Sequence, residues 1–403
     1  MKPHLYIAIP AMQESDFLPE TLKAITAQQT DYPFSVFVCV NQSDGWWQQE
    51  DKLPICLDNQ KTLSFLKDFR ELNINILDYS SKGKGWKGKK SGVGWARKIL
   101  FDHILQIAGP EDILISLDAD TLFDKHYFQS LGDNFARKDS LPVISVPYYH
   151  KLTEDDRANR AILRYEIYLR NWLLNLYHIN SPYAFTAIGS AIAMKVWALQ
   201  KIGGITPMKS GEDFYLLQKL RKMIPVNNWN RESVYPAARF SSRVFFGTGP
   251  AMIKGDAGDW ESYPIYHHSH FDEVAKVYGM LEVLYKYDVD TPFTLFLQQQ
   301  FNDKNLWQPL RNNFKEFFRF ERAFHEKADG LRLLQFVKQE EKNRPFAEAK
   351  ALYDNLKIFC PDKIPLFFTP DLLLNELPVL QLDELRNVLW KEEMKRRSLS
   401  AGE

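Results

Sequence analysis

Two carboxylates one residue apart end an apolar run, Ile113-Leu114-Ile115-Ser116-Leu117-Asp118-Ala119-Asp120, and no other residues of the chain are better placed for chemistry. The run reads as a buried strand. In extended chain, positions i and i+2 point the same way, so Asp118 and Asp120 can face one point. The carboxyl edge of an α/β sheet is where such folds take ligands. Hard oxygen donors so arranged suit Mg2+ or Mn2+ held together with substrate phosphates. A strand that merely ends in polar turn residues has the same short pattern, so support must come from elsewhere in the chain.

Further stretches offer it. Lys209-Ser210-Gly211-Glu212-Asp213-Phe214 opens a helical pattern. Its acids read either as helix caps, worth roughly 0.5–2 kcal/mol, or as catalytic carboxylates. Ile7 to Glu14 and Val38 to Asp44 are apolar runs that end in polar loops, which makes a crevice above a sheet. Glu14, Asn41 and Asp44 have the groups to hydrogen-bond a base and a ribose, although Asn-Gln-Ser-Asp-Gly is equally a turn. Lys82 to Lys90 mixes glycine with lysine, Lys87 among them, and seven cations with no acid fall between Asp78 and Asp102. Such a loop suits a diphosphate, or is simply solvated. Last come Arg239-Phe240-Ser241-Ser242-Arg243, Gly247-Thr248-Gly249-Pro250 and His267-His268-Ser269-His270. A histidine here, with His268 the candidate, can complete a metal shell or touch a phosphate, or be structural.

Positioning these groups requires alternating strands and helices, the signature of an α/β layer structure. The patterns predict strands over 4–10, 34–41, 73–78, 112–117 and 141–148, with a strand-like segment over 183–195. They predict helices from Leu18 through Ile25, over about 92–108, over 157–177 and over 211–223. The aromatic stripe of the 157–177 helix reads as core packing. Beyond Phe271 glycine becomes scarce and helical patterns dominate. The expected organisation is therefore an α/β domain over 1–270 and a mostly helical C-terminal region over 271–403.

In this order the motifs resemble glycosyltransferase family 2 and its GT-A relatives. Pro10-Ala11-Met12-Gln13-Glu14 stands for the first loop, Asn41 to Asp44 for the second, and Gly92 to Arg97 for a helix start. Asp118-Ala119-Asp120, Gly189-Ser190 and Glu212-Asp213 follow. The resemblance implies a GT-A, Rossmann-like nucleotide-diphospho-sugar transferase domain. It further implies that Asp118 and Asp120 bind the metal and diphosphate, that Glu14, Asn41 and Asp44 hold the nucleoside, and that Arg97 lies near the phosphates. Pro10, Ala11, Gly189 and Ser190 would line the donor site, and Lys87 of the basic loop is a further candidate for it. Asp213 matches the general base of inverting members, with Glu212 beside it. Many relatives carry Asp where Asn41 stands. The Q/R-x-x-R-W motif of processive members is absent, which argues against a polymer synthase.

Composition is that of an ordinary globular protein: 403 residues, 45% apolar and 25% charged. Lysine plus arginine balances aspartate plus glutamate at 51 each, so no global field favours nucleic acid. The three cysteines, Cys39, Cys56 and Cys360, have no metal-site spacing and fit a reducing compartment. No apolar run reaches the ~20 residues of a membrane span, and the start of the chain lacks a signal peptide's pattern. The expected place of work is the cytoplasm, with contact at the inner face of the membrane left open. The expected partners are a nucleotide-diphospho-sugar donor and a saccharide or lipid-linked acceptor. Two other readings stand beside this one. Gly83 to Lys89 fits a P-loop phosphotransferase, with Lys90 where Ser or Thr should hold Mg2+. The chain can also be read as a non-catalytic nucleotide-sugar-binding module.

Overall fold

Apolar, β-branched runs make the sheet. Its strands, with a separate pair, are β1 (Leu5–Ala11), β2 (Phe34–Asn41), β3 (Ile74–Tyr79), β4 (Ile113–Ser116), β5 (Thr121–Phe123), β6 (Val143–Ser145), β7 (Ile192–Lys195) and β8 (Val234–Pro236). The computed structural model describes every residue except Met1, Lys89, Phe245 and Glu403. Six strands lie in the order β3-β2-β1-β4-β7-β6, and β5 pairs with β8. β1 runs parallel to both neighbours, with Leu5 opposite Phe34 on one side and Ile113 on the other. β7 is antiparallel to β4 and to β6. Both β1 and β4 are buried along their whole length, as central strands covered on two faces must be.

This order fixes where a ligand crevice forms. From β1 the chain moves outward to β2 and β3, then returns to place β4 on the other side of β1. The strand order reverses between β1 and β4, and crevices open above such a switch point. The loop after β1 carries Glu14, and the turn after β4 carries Asp118 and Asp120.

Helices cover the sheet. In α1 (Leu18–Thr26), Leu18, Leu22 and Ile25 are buried, and Thr21 Oγ1 donates to the Ala119 carbonyl at 2.9 Å, which ties this helix to the aspartate turn. The helix α2 (Leu53–Asp68) follows β2. In α3 (Val93–Ile107), Ala96, Leu100, Phe101 and Ile104 are buried. Each such fully buried leucine or phenylalanine contributes about 1.5–3 kcal/mol.

Two predicted strands are shorter than their apolar runs. Pro142 and Pro147 bracket β6, and neither can donate to a ladder. The 183–195 segment pairs only over Ile192–Lys195, because the chain first turns at 188–191, where Ala191 N donates to the Ile188 carbonyl at 2.9 Å.

The chain divides into two compact units. The α/β unit comprises Met1–Ile162, Phe185–Asp256 and Arg397–Glu403. Within it, the fully buried Arg397 donates Nη1 to the carbonyls of Ser145 at 3.0 Å and Asn228 at 2.8 Å. The other unit comprises Leu163–Ala184 and Ala257–Arg396 and, among its described residues, is built of helices. Leu163, Ile167, Leu352, Leu356, Leu382 and Leu385 belong to its core. Buried ions there are balanced. Arg170 reaches Glu393 at 2.6 Å and Glu166 at 3.2 Å, and Arg386 reaches Glu166 at 2.9 Å. Paired charge of this kind is what allows ions into an apolar core. Among the described residues, no helix is long and apolar enough to cross a membrane.

Candidate active site

The site is built around one buried guanidinium. Arg97, on the first turns of α3, donates Nη1 to Glu212 and Nη2 to Asp118, with Nε on Ser116 Oγ at 3.2 Å. Acids from two distant stretches therefore meet at one side chain. Glycines make the meeting possible. Gly92 has φ +87°, and a Cβ on Gly94 would fall on the backbone of Met208, so α3 starts hard against the segment that leads to Glu212. Gly189, whose carbonyl accepts from Ser116 Oγ at 2.8 Å, faces Arg97 directly, and a Cβ there would fall on the guanidinium. Gly189→Ala is accordingly expected to push Arg97 out of its seat, at a cost of about 1–3 kcal/mol for overpacking. A melting curve beside that of the native chain checks this.

The helix Glu212–Met223 begins with Gly211 at φ +76°, a backbone that favours glycine. Glu212 is buried on Arg97. Asp213 accepts from the Phe214 backbone N–H at 2.7 Å. Burial, then the negative charge of Glu212, push the Asp213 carboxyl up to about 7, against the opposing pull of Arg97. A carboxyl poised there is matched to proton transfer near neutral pH. Asp118 is also raised, by burial first, with Arg97 opposing. Burial works against charge on Arg97, but Asp118, Glu212 and Asp213 outweigh it and hold the guanidinium firmly protonated.

A second knot adjoins the first at the Asp118–Asp120 turn. Arg239 bonds both Glu14 and Asp120, and Arg243 bonds Glu14. The β5–β8 pair explains why, since Ala237 N donates to the Asp120 carbonyl at 3.1 Å and so sets Arg239 beside the aspartate turn. Glu14 is raised by burial and by Asp120. Five carboxylates (Glu14, Asp118, Asp120, Glu212, Asp213) thus face three guanidiniums (Arg97, Arg239, Arg243). When all are ionised, two negative charges remain in excess.

That excess bears on a metal. A nucleotide diphosphate, if one binds, would bring further negative charge that the surplus would repel, and a divalent cation would cancel the surplus. Mg2+-type sites take one or two carboxylates and complete the shell with phosphates and water. Asp118 and Asp120 fit that description. Among the described residues no group of three or more His, Cys, Asp or Glu forms a ready-made metal shell. His268 lies in the helical unit, at the start of the helix His268–Gly279. Its Nδ1 is 2.8 Å from Asp272 Oδ2, and its backbone N donates to Asn355 Oδ1.

The residues expected at the nucleoside have internal partners. Asn41 is buried, donates Nδ2 to the Ala11 carbonyl at 3.0 Å and accepts from Trp86 Nε1 at 3.3 Å. Trp86 stacks on Tyr79 with ring centroids 4.3 Å apart. Pro10 and Ala11 lie in β1, opposite Cys39 and Val40. Asp44 accepts from Gly83 N at 2.7 Å. In the P-loop reading that N–H would be aimed at a phosphate, and here it is spent on a carboxylate. Lys87 is exposed on this loop, and Lys89 lies outside the described residues. Ser190 is fully buried, and its hydroxyl finds no hydrogen-bond partner among the described residues.

No protein-family model matches the chain, and no curated protein matches it in sequence. Among solved structures it is similar to S. aureus TarS 1-349 in complex with UDP-GlcNAc. The identity is 11% and the TM-score 0.41, over 85% of this chain and 93% of that one. A further structure of TarS 1-349 gives 12% and 0.42, over 100% and 92%. The mannosyltransferase PcManGT from Pyrobaculum calidifontis, in complex with GDP-Man and Mn2+, gives 13% and 0.38, over 98% and 87%. The fold is mixed α/β around a mostly parallel sheet.

Proposed function

We propose that the chain is a non-processive hexosyltransferase, GT-A-like and similar to family 2. It moves a sugar from a nucleotide-diphosphate sugar to the hydroxyl of a saccharide or lipid-linked acceptor, with inversion and with Mn2+ or Mg2+. The observation that carries this reading is the shared guanidinium. Arg97 pairs with Asp118, just past β4, and with Glu212, at the start of the 212–223 helix, and the acids assigned here to donor and to acceptor are therefore close enough to serve one reaction.

Asp118 and Asp120 would hold the cation together with the donor diphosphate, and the cation when bound supplies Lewis-acid stabilisation of the leaving diphosphate. Asp213 takes the proton from the acceptor hydroxyl as its oxygen attacks the anomeric carbon. The bond from that carbon to the diphosphate oxygen breaks, and its electron pair leaves with the nucleoside diphosphate. Glu212, neutralised by Arg97, keeps the helix start in place. Asn41 and Trp86 shape the nucleoside end from behind.

A thermal melt tests the reading. UDP or GDP with Mn2+ is expected to raise the melting temperature, and ATP with Mg2+ is not. At a hundredfold excess over Kd the gain is about 2.7 kcal/mol. A panel of nucleotide sugars should then release nucleoside diphosphate when acceptor is added. The absence of a shift with every nucleoside diphosphate and Mn2+ would sink the proposal.

A further inference from the structure

The loop after β8 sets a cation on one of the two carboxylates proposed above to hold a metal ion. Arg239 donates Nε and Nη2 to Asp120 Oδ2 at 2.9 and 2.6 Å, and Nη2 to both oxygens of Glu14 at 2.7 Å. Its guanidinium lies 3.9 Å from the centroid of the Phe17 ring. Arg243 donates Nη1 to Glu14 and to the Met12 carbonyl, the latter at 2.8 Å. Farther along, Phe246 N donates to Ser210 Oγ at 3.0 Å, just ahead of Glu212 and Asp213.

The two arginines that touch the aspartate pair differ in freedom. The Arg97 side chain is 4% exposed and fixed on three sides, by Ser116, Asp118 and Glu212. The Arg239 side chain is 19% exposed and sits on a loop. Arg239 is the more exposed of the two.

The geometry points to Arg239 as a place-holder for the divalent cation. It neutralises Asp120 and Glu14 until donor arrives, then passes to a phosphate oxygen of the nucleoside diphosphate, and the cation gains Asp120. This rests on the transferase reading above. A guanidinium and a divalent ion repel each other and compete for the same carboxylate. Guanidinium matches phosphate as well as it matches carboxylate, so the diphosphate offers Arg239 an equivalent partner. Cation and diphosphate then bind weakly apart and tightly together, and the coupling is reciprocal.

Mn2+ binding to the full chain tests this, followed by the electron paramagnetic resonance of free Mn2+ without nucleotide and with saturating UDP or GDP. Binding of Mn2+ to nucleotide in solution is subtracted. In the native chain, nucleotide is expected to tighten Mn2+ by tenfold or more, and Mn2+ to tighten nucleotide by the same factor. Arg239→Gln should bind Mn2+ alone about tenfold more tightly than the native chain, bind nucleotide more weakly, and lose most of the coupling. Arg239→Lys keeps the charge and loses the fork. It should fall between the two, and it carries the test if the glutamine variant does not fold. Unchanged or weaker Mn2+ binding in both variants, with Asp120→Ala abolishing it, overturns the place-holder and leaves the transferase reading standing. If Asp120→Ala leaves Mn2+ binding in the presence of nucleotide intact, the metal assignment itself fails.

Discussion

Asp213→Asn is expected to bind nucleoside diphosphate and Mn2+ as tightly as the native chain while turnover falls by about 10²–10⁴-fold, the usual contribution of a positioned general base. Asparagine keeps the size of the side chain and can still accept from the Phe214 N–H. What is lost is the ability to take a proton, together with the charge the carboxylate carries above pH 7. The pH profile gives a second readout. The Asp213 carboxyl is pushed up to about 7, so the competent, ionised form accumulates as pH rises through that value. The native rate should climb through neutrality and level off above it.

Stability moves the opposite way. A carboxyl whose folded value lies above its unfolded value binds a proton more tightly when folded. Its contribution to stability is fully present below the unfolded value and is lost as pH rises through about 7. Asp213→Asn should therefore melt higher than the native chain above pH 7, and close to it near pH 4. Turnover at a near-native rate would assign the proton to another group.

Arg97→Met carries the largest expected effect on folding. It leaves Glu212 buried without its partner, and an unpaired buried charge costs about 3–5 kcal/mol. For a unit of this size that corresponds to a drop on the order of 10 °C in melting temperature. The neighbouring Lys98, paired with Asp102 near the surface at 2.7 Å, serves as control, since removal of such a pair costs about 1 kcal/mol or less. Adding Glu212→Gln to Arg97→Met should restore part of the loss, because the amide leaves no charge stranded. A double-mutant cycle in denaturant measures that coupling directly. Additive losses would mean that Arg97 and Glu212 do not act as a pair.

The sheet was legible because its strands are apolar runs whose ends are marked by polar turns. β2 begins and ends at the residues expected, and β1, β3 and β4 shift by one at their edges. The helix Leu53–Asp68 was not read, because its buried face includes Asn59 and Thr62, which blur the helical stripe. Local pattern also located the acids, but it did not disclose their partners. Arg239 and Glu14 lie 225 residues apart, and no spacing rule relates them. The Arg239 to Arg243 stretch was visible as a cluster with no role attached, for its meaning depends on the pairing of β5 with β8. Asn41 is a different case. An amide at a strand end suits a ligand, yet here both ends of the amide serve the Ala11 carbonyl and Trp86, an arrangement that only the packed structure discloses.

The seat of Arg397 on the Ser145 and Asn228 carbonyls bears on how the protein is made. A ribosome delivers the chain from its N-terminus, and domains ordinarily close as they emerge. Here residues 257–396 must be synthesised before Arg397 can reach those carbonyls. Until then those carbonyls lack this guanidinium, so this contact of the α/β unit forms only after the helical stretch between has been made.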